Sequence, residues 1–331
     1  MNQDLKKVRA LGLLSGGLDS ILSGVVLRDQ GIAVEWISFE TPFFSAENAR
    51  QAAARLGIRL TVENITPVYI EMLKDPPCGY GQAMNPCLDC HALMFKMAGK
   101  TLVAEGFDFL FSGEVLGQRP MSQTRSSLRY VEKRSGFDGH ILRPLSARLL
   151  AETIPEKKGL VNREKLYDIS GRSRKPQMML VKKFGITEYP APAGGCLLTD
   201  KNFSARLKDL LNYQDTHSEE DFYLLQYGRH IRLGDTTKII VGRTKSDNEN
   251  IAGFYDPAKH TIIRVKKIPG PITLMIPDVN LASIKLAAQI CVRYSKAPQD
   301  RPVEVEVVRP QGRETIKVFA LPPEKIRHLL I

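Results

Sequence analysis

A short segment near the start of the chain combines glycines, hydroxyls and one carboxylate. Ser15-Gly16-Gly17-Leu18-Asp19-Ser20 follows the apolar run Ala10 to Leu14, which predicts a buried strand, and precedes an apolar stretch that predicts a helix. The first N–H groups of a helix have no internal partners and the helix dipole favours negative charge there, so a glycine turn at this junction predicts a phosphate site. A carboxylate beside a phosphate requires a cation between them, and Asp19 is therefore a predicted Mg²⁺ ligand. The alternative is a simple loop in which Asp19 and Ser20 cap the helix.

Three cysteines form a candidate sulfur or metal site. Cys87 and Cys90 have CxxC spacing at a predicted, exposed helix start, where the helix dipole would lower the pKa of both thiols. Cys196 lies in the proline- and glycine-rich turn from Ala191 to Thr199, where a thiol can reach into a site. Three cysteines can bind an iron–sulfur cluster with one iron left open, or a zinc ion with an open fourth position. Cys78 as a fourth ligand would favour structural zinc, and a purely structural role for the paired cysteines is the remaining alternative.

Strands and helices alternate along the first part of the chain. We predict a second strand over Ala33 to Phe39, a helix over Ala46 to Leu56 and a third strand over Arg59 to Val62. This alternation predicts an α/β fold with a Rossmann-like parallel sheet, in which ligands bind at the carboxyl ends of the strands. Phe39 ends a strand at that edge, so it is either a contact for a nucleotide base or a core residue.

The composition favours a protein with polyanionic partners. The chain has 331 residues, 43% of them apolar, which is enough for a core in each of two domains. Its formal net charge is +11 and its pI is about 9.4. No apolar run approaches the about 20 residues that cross a bilayer, and the first residues lack a signal-peptide core, so we expect a cytoplasmic protein. Five cysteines in a reducing compartment are not expected to form a disulfide framework.

Basic residues are concentrated in the middle of the chain. Arg119 to Arg148 contains seven basic and two acidic residues, and Lys157 to Lys183 contains nine and two. An RNA-binding surface would explain this run because phosphate neutralisation supplies most nucleic-acid affinity; a solvated helical face is the alternative. Lys96 and Arg143 are further candidates for phosphate or base contacts. The predicted RNA contacts are Arg119, Arg125, Arg143, Arg172, Arg174, Lys175, Arg229 and Arg243.

The second part of the chain has a different pattern. The acidic stretch His217 to Asp221 marks a predicted boundary between domains at residues 1–215 and 220–331. Beyond it we predict a smaller α+β domain in which short strands are separated by turns, with one helix over Leu281 to Tyr294 and another near Pro323 to Leu330.

The segment at residues 15–20, SGGLDS, resembles the PP-loop of the ATP pyrophosphatases. The resemblance implies that ATP is cleaved between its α and β phosphates, so that a substrate oxygen is adenylated and pyrophosphate leaves. The residues that it implies in ATP binding are Leu14, Ser15, Gly16, Gly17, Asp19 and Ser20.

Two further segments resemble tRNA-thiolating enzymes. Residues 112–124, SGEVLGQRPMSQT, are similar to the LGQxxSQT segment of the tRNA 4-thiouridine synthetases, with one extra residue before Ser122, and Arg143-Pro144-Leu145 matches a later element. This resemblance adds Gly113 and Gln118 to the expected ATP site. The NPCxxC segment and the later GC turn resemble the tRNA 2-thiouridylases. The 4-thiouridine synthetases carry an RNA-binding module before the PP-loop, so here we expect a C-terminal module to dock tRNA.

That C-terminal part resembles the RNA-binding domain of the NFACT proteins. The similarity lies in Gly228 to Ile231 and in Ile240 to Asn250. Together the resemblances imply an ATP-dependent tRNA sulfurtransferase that forms 4-thiouridine or 2-thiouridine. The expected partners are tRNA and a sulfur donor, either sulfide or a persulfide carrier, and a homodimer is compatible with the sequence.

The implied sulfur chemistry involves Asp19 and the three cysteines as catalytic residues. Sulfur would attack the adenylated base either as hydrosulfide on the open iron of a 4Fe–4S cluster held by Cys87, Cys90 and Cys196, or as a persulfide on Cys196. Zinc is the alternative metal. One alternative function is a small-molecule PP-loop enzyme similar to the deazaguanine nitrile synthases, although Leu93 stands where a cysteine is expected. Another is a noncatalytic, nucleotide-sensing factor associated with RNA.

Overall fold

The computed structural model describes residues 7–189, 195–214, 216–276 and 280–331. The chain divides into two compact units, Met1–Cys196 and Leu197–Ile331. Among the described helices, none has the length and apolar character required to cross a bilayer.

The first unit is built on a five-stranded sheet whose neighbouring strands are all parallel. The strand order is β3-β2-β1-β4-β5, so the chain moves from the central strand β1 to one side and then returns to the other. In chain order the elements are β1 Arg9–Leu13, α1 Leu18–Asp29, β2 Ala33–Glu40, α2 Glu47–Leu56, β3 Leu60–Asn64, α3 Thr66–Lys74, α4 Cys87–Glu105, β4 Phe109–Ser112, α5 Arg125–Ser135, β5 Ile141–Leu142, α6 Ile154–Lys157 and α7 Lys175–Lys183.

The change of direction in this sheet determines where a ligand can bind. Leu13, the last residue of β1, pairs with Ile37 of β2 and with Ser112 of β4. The loops after β1 and β4 therefore leave the same edge of the sheet in opposite directions and open a crevice there, which is where parallel α/β sheets bind ligands. The predicted PP-loop follows β1, and the predicted contact Gly113 follows β4.

The second unit contains a six-stranded antiparallel sheet in the order β11-β10-β8-β9-β7-β6. The amphipathic helix α11 packs against β8 to β11 through a buried apolar face that includes Ile284, Ala287 and Cys291. The predicted α/β fold with a second, smaller α+β unit is thus confirmed. The elements of this unit are α8 Lys201–Tyr213, α9 Glu219–Leu224, β6 Arg229–Arg232, β7 Lys238–Val241, α10 Lys245–Gly253, β8 Thr261–Val265, β9 Thr273–Ile276, α11 Leu281–Arg293, β10 Val303–Arg309, β11 Gly312–Val318 and α12 Pro323–Arg327.

The observed division between the units falls earlier than the acidic stretch that the sequence marks. Helix α8 belongs to the second unit because its buried Asp209 bonds Arg232 of β6, with an O–N distance of 2.6 Å. The acidic stretch instead begins α9, where the Ser218 and Asp221 side chains form a capping box. Acidic residues in the first turn of a helix interact favourably with the helix dipole. The acidic stretch is therefore explained by the start of α9 and does not indicate a linker between domains.

A buried lysine makes the stability of the second unit depend on pH. Burial lowers the pKa of Lys238 from 10.5 to about 8, although Asp209, 3.4 Å from the ammonium nitrogen, opposes that shift. Between these pH values the unfolded chain holds a proton that the folded protein has released, so the free energy of unfolding rises with pH. The buried charge therefore costs stability below about pH 8.

We expect Lys238→Met to raise the free energy of unfolding of this unit at pH 7 by at most about 3 kcal/mol. Asp209 keeps Arg232 as its partner. The difference from wild type should shrink toward zero as the pH rises to 10.5, as measured by denaturant unfolding. Lys245→Met, at an exposed lysine, is the control. A variant that is less stable than wild type at pH 7 would contradict this explanation.

Candidate functional site

The loop between β1 and α1 leaves the start of a helix open to an anion. Gly17 precedes the first residue of α1, and no side chain in the described structure caps this helix. The Ser15 and Ser20 hydroxyl oxygens lie 3.2 Å apart, and the Ser15 hydroxyl accepts a hydrogen bond from the Gly17 N–H. Leu14 is buried and its N–H bonds the Ile37 carbonyl, which anchors the loop on the sheet. Unpaired N–H groups and nearby hydroxyls suit a phosphate.

Two glycines are required by the close packing around this loop. Gly16 has a φ of +75°, and a Cβ atom there would lie 2.3 Å from the backbone carbon of Asn48. A Cβ atom on Gly113 would lie 2.3 Å from the Ser20 nitrogen. The turn after β4 thus contacts the first turn of α1 directly, so a side chain at Gly113 would displace one or the other.

Asp19 presents one carboxylate oxygen that has no partner among the described residues. Its Oδ2 atom accepts a hydrogen bond of 2.9 Å from the Gln118 amide, whereas Oδ1 is buried without a partner in the described part of the chain. A buried, unpaired carboxylate oxygen is unfavourable unless something else binds it. Mg²⁺ prefers oxygen ligands, so this oxygen at the open end of α1 fits the predicted cation.

Phe39 is placed differently from the other predicted nucleotide contacts. Its side chain is 3% exposed near the end of β2, which favours the alternative of a core residue over a contact with the base.

The three predicted thiols lie in one neighbourhood of the first unit. Cys87 begins α4, and Cys90 follows one turn later with only 9% exposure. Tyr69 of α3 forms a hydrogen bond with the Cys90 sulfur, and the charges of Cys87 and Cys196 both act on this pair. Most of the turn before Cys196, residues 190–194, lies outside the described residues.

The prediction that Cys90 is an exposed thiol with a lowered pKa is wrong. Burial raises the pKa of the Cys90 thiol, and the hydrogen bond from Tyr69 only partly opposes the rise. Burial also raises the pKa of Tyr69, so its phenol stays protonated and donates to the sulfur. Because a metal centre deprotonates a thiol that binds it, this donor would stabilise the resulting thiolate. Sequence reasoning missed Tyr69, because it lies on α3 whereas Cys87 and Cys90 lie on α4.

A single-ion site is not formed by these residues. Across residues 7–189, 195–214, 216–276 and 280–331, no three His, Cys, Asp or Glu side chains are grouped so that they could hold a metal ion. Tetrahedral zinc at about 2.3 Å from each sulfur needs thiols within about 4 Å of one another. Cys78 is exposed and contacts Asp89 and Tyr130, on the side of α4 that meets α5. It does not complete a four-cysteine set in the described structure.

A buried ionic network adjoins the thiols and was not predicted. The Glu114 carboxylate, one residue after Gly113, lies 2.8 Å from the His91 Nδ1 atom and 2.9 Å from the Arg143 Nε atom. Burial alone would raise the pKa of Glu114, but Arg143 and His91 outweigh it and lower the pKa to about 2. The network thus holds His91, which follows Cys90 on α4, against the turn that contacts the PP-loop.

Arg143 belongs to the interior of the unit and not to an RNA-binding surface. It is 2% exposed and is bound to Glu114 and Glu132, so the predicted contact with RNA or phosphate does not fit its position. The basic run in the sequence could not distinguish this arginine, because its partners lie 29 and 11 residues away.

The other basic candidates remain at least partly accessible. Arg119, Arg172, Lys175 and Lys96 are exposed, and Arg174 is half-buried. Exposed Arg125 donates to the Leu149 carbonyl. In the second unit, Arg229 is half-buried over the Tyr294 ring and exposed Arg243 is paired with Asp247.

The parallel sheet, its crevice and the SGGLDS loop define the first unit as a PP-loop nucleotide-binding domain. Residues 6–154 match the family described as thiamine biosynthesis protein (ThiI), and residues 228–330 match the NFACT protein RNA binding domain. The first unit is thus similar to the ThiI family and the second unit to the NFACT RNA-binding domain, which confirms the resemblances seen in these two parts of the sequence.

Several curated proteins are similar over part of their length. A tRNA sulfurtransferase of Desulfurococcus amylolyticus is 30% identical over 296 residues, which are 82% of this chain and 54% of that protein. Probable tRNA sulfurtransferases of Oceanobacillus iheyensis and Thermotoga maritima are 28% and 29% identical over 41% and 45% of this chain, and over 34% and 39% of those proteins. The chain therefore spans about a third to a half of the length of these relatives.

One similar solved structure is described as a predicted subunit of a tRNA methyltransferase from Methanocaldococcus jannaschii. The alignment covers 46% of this chain and 74% of the chain in that structure. It is 20% identical, with a TM-score of 0.32.

We expect Tyr69→Phe to slow the alkylation of Cys90 by a small reagent at pH 8 about tenfold, because the thiolate loses a charge-assisted hydrogen bond. Site-resolved mass spectrometry after timed alkylation measures the rate. Cys78 in the same sample, which contacts Tyr130 instead, is the internal control. An unchanged rate at Cys90 would show that the phenol does not act on the sulfur.

Proposed function

We propose that the protein is an ATP-dependent tRNA sulfurtransferase, which adenylates a uridine carbonyl oxygen and replaces it with sulfur. The observation that carries this proposal is the presence in one domain of an open PP-loop with an unpaired Asp19 oxygen and a neighbourhood of three thiols. The names of the similar tRNA sulfurtransferases and the RNA-binding domain support tRNA as the substrate.

The first step uses the residues of the PP-loop. The N–H groups that begin α1, with the Ser15 and Ser20 hydroxyls, would bind ATP phosphates, and Asp19 would bind the Mg²⁺ ion that accompanies them. The uridine carbonyl oxygen attacks the α phosphorus, the bond to the β-phosphate oxygen breaks, and pyrophosphate leaves. The oxygen that was a poor leaving group is then part of an AMP ester.

The second step exchanges oxygen for sulfur without a net oxidation. A hydrosulfide ion attacks the activated ring carbon, the C–O bond breaks, and AMP carries away the original oxygen. The proton of the hydrosulfide passes to the ring nitrogen, which gave up its own proton on adenylation. A persulfide on Cys196 is the other donor: its outer sulfur attacks the carbon, and a second thiol then cleaves the S–S bond and forms a disulfide with Cys196. An external dithiol must reduce that disulfide before the next turnover. The product is 4-thiouridine or 2-thiouridine, according to which carbonyl is adenylated.

Cys87, Cys90 and Cys196 are the residues that would hold a 4Fe–4S cluster. Three thiols in one neighbourhood, one of them hydrogen-bonded to a buried phenol, support this choice. Such a cluster would supply an open iron at which sulfide binds and loses its proton.

RNA binding would involve both units. The exposed residues Arg119, Arg172 and Lys175 of the first unit, and the NFACT-type domain, would neutralise phosphates of the tRNA. The reacting base must leave its stack to reach a site in a crevice.

We expect wild-type protein, with its metal centre intact and under anaerobic conditions, to release pyrophosphate from Mg-ATP only when tRNA is present. In the presence of sulfide it should form thiouridine in that tRNA. Cys196→Ala should keep pyrophosphate release but lower thiouridine formation at least about 100-fold, whereas Asp19→Asn should lose both. Pyrophosphate assays and mass spectrometry of nucleosides give the two readouts.

Cys78→Ala is the matched control and should retain both activities. Loss of thiouridine in this variant would favour a four-cysteine zinc site. Pyrophosphate release that does not depend on tRNA would contradict the proposal and favour a small-molecule substrate.

A further inference from the structure

A buried glutamine on α7 is connected to the PP-loop. Gln177 has no exposed surface, although the next two residues, Met178 and Met179, are exposed. Its Nε2 atom lies 3.4 Å from Gln118 Oε1, and the Gln118 Nε2 atom lies 2.9 Å from Asp19 Oδ2. A chain of two side-chain amides thus runs from α7 to the carboxylate beside the phosphate site.

The direction of this hydrogen-bond chain is fixed at one end. A carboxylate only accepts hydrogen bonds, so Gln118 must turn its amide nitrogen toward Asp19 and its carbonyl oxygen toward α7. That carbonyl oxygen also only accepts, so Gln177 must turn its own amide nitrogen toward Gln118. The Gln177 Oε1 atom is left buried with no partner among the described residues. A buried carbonyl oxygen without a donor is unfavourable. This orientation of Gln177 therefore indicates that the hydrogen bond from its amide nitrogen to Gln118 offsets that cost.

Backbone hydrogen bonds also connect the loop that carries Gln118 with the segment before α7. The Gly171 N–H donates to the Leu116 carbonyl at 2.8 Å, and the Gly117 N–H donates to the Gln123 carbonyl at 2.7 Å. The loop that carries Gln118 is therefore bound to the segment that leads into α7. The position of Gln118 depends on α7 through the main chain as well as through the Gln177 side chain.

We infer that Gln177 is a positioning residue for the metal–nucleotide site. Through Gln118 it orients the Asp19 carboxylate so that Oδ2 is occupied by an amide and Oδ1 stays free for a divalent cation. This inference rests on the part of the proposed function in which the PP-loop binds ATP with Mg²⁺. A purely structural Gln177 would fill space in the core and would leave the cation affinity unchanged.

The test measures the Mg²⁺ concentration that gives half-maximal binding of a fluorescent, non-hydrolysable ATP analogue, together with the melting temperature. Gln177→Met keeps the length of the side chain and removes its donor. It should raise the half-saturating Mg²⁺ concentration about two- to tenfold, the change that corresponds to losing one hydrogen bond. Gln30→Met removes a glutamine hydrogen bond to the Asn162 N–H elsewhere in the same unit and should leave the Mg²⁺ dependence as in wild type.

A double variant separates positioning from packing. If Gln177 acts through Gln118, then Gln177→Met should add nothing to the Mg²⁺ shift of Gln118→Met, because the chain is already broken. Additive shifts, or a lowered melting temperature with no shift in Mg²⁺ dependence, would overturn the inference. Failure of wild-type protein to bind the analogue at any Mg²⁺ concentration would overturn the proposed function as well.

Discussion

The contact between Gly113 and the first turn of α1 is the constraint on which the candidate site depends. No side chain larger than hydrogen fits there, because a Cβ atom would meet the Ser20 nitrogen at 2.3 Å. The residues after Gly113 are thereby fixed against the PP-loop. Glu114 reaches His91 beside Cys90, and Gln118 reaches Asp19. A single segment after β4 thus connects the phosphate loop with the helix that carries the thiols.

The first unit buries charged and polar side chains next to the candidate site, which costs free energy. Burying Glu114 and Arg143 removes both charges from water, which costs free energy. Ion pairs offset that cost, because Arg143 is bound to both Glu114 and Glu132. The lowered pKa of Glu114 follows from these partners, so its carboxylate stays charged and holds His91 in place. By contrast, Asp19 Oδ1 and Gln177 Oε1 are buried without partners in the described structure. An unsatisfied carboxylate oxygen next to an open helix start, such as Asp19 Oδ1, is expected where a ligand completes the structure.

The sequence was sufficient to predict the parallel sheet, the PP-loop and the second, smaller α+β unit. Alternating strand and helix patterns predict parallel pairing, and the spacing in SGGLDS places a glycine turn at a helix start. The elements that sequence reasoning missed depend on contacts between distant residues. Burial of Cys90 follows from its pairing with Tyr69, which is 21 positions earlier in the sequence.

Other differences have the same cause. A run of basic residues shows where charge lies in the sequence but not which side chains are buried. The sequence therefore groups Arg143 with its exposed neighbours, whereas Glu114 and Glu132 bind it in the interior of the unit. Gln177 carries no local signal in the sequence, and only the position of Gln118 gives it a role. The acidic start of α9 resembled a linker because capping residues and linker residues are the same polar types.

One domain of this protein is proposed to activate a tRNA uridine with ATP and to transfer sulfur to it. The most direct measurement is mass spectrometry of nucleosides from the tRNA of a strain that lacks this protein, compared with the parent strain and with the strain after the gene is restored. We expect 4-thiouridine or 2-thiouridine to disappear in the deletion strain and to return on restoration. An unchanged nucleoside profile would contradict tRNA thiolation and leave only a nucleotide-binding, RNA-associated protein.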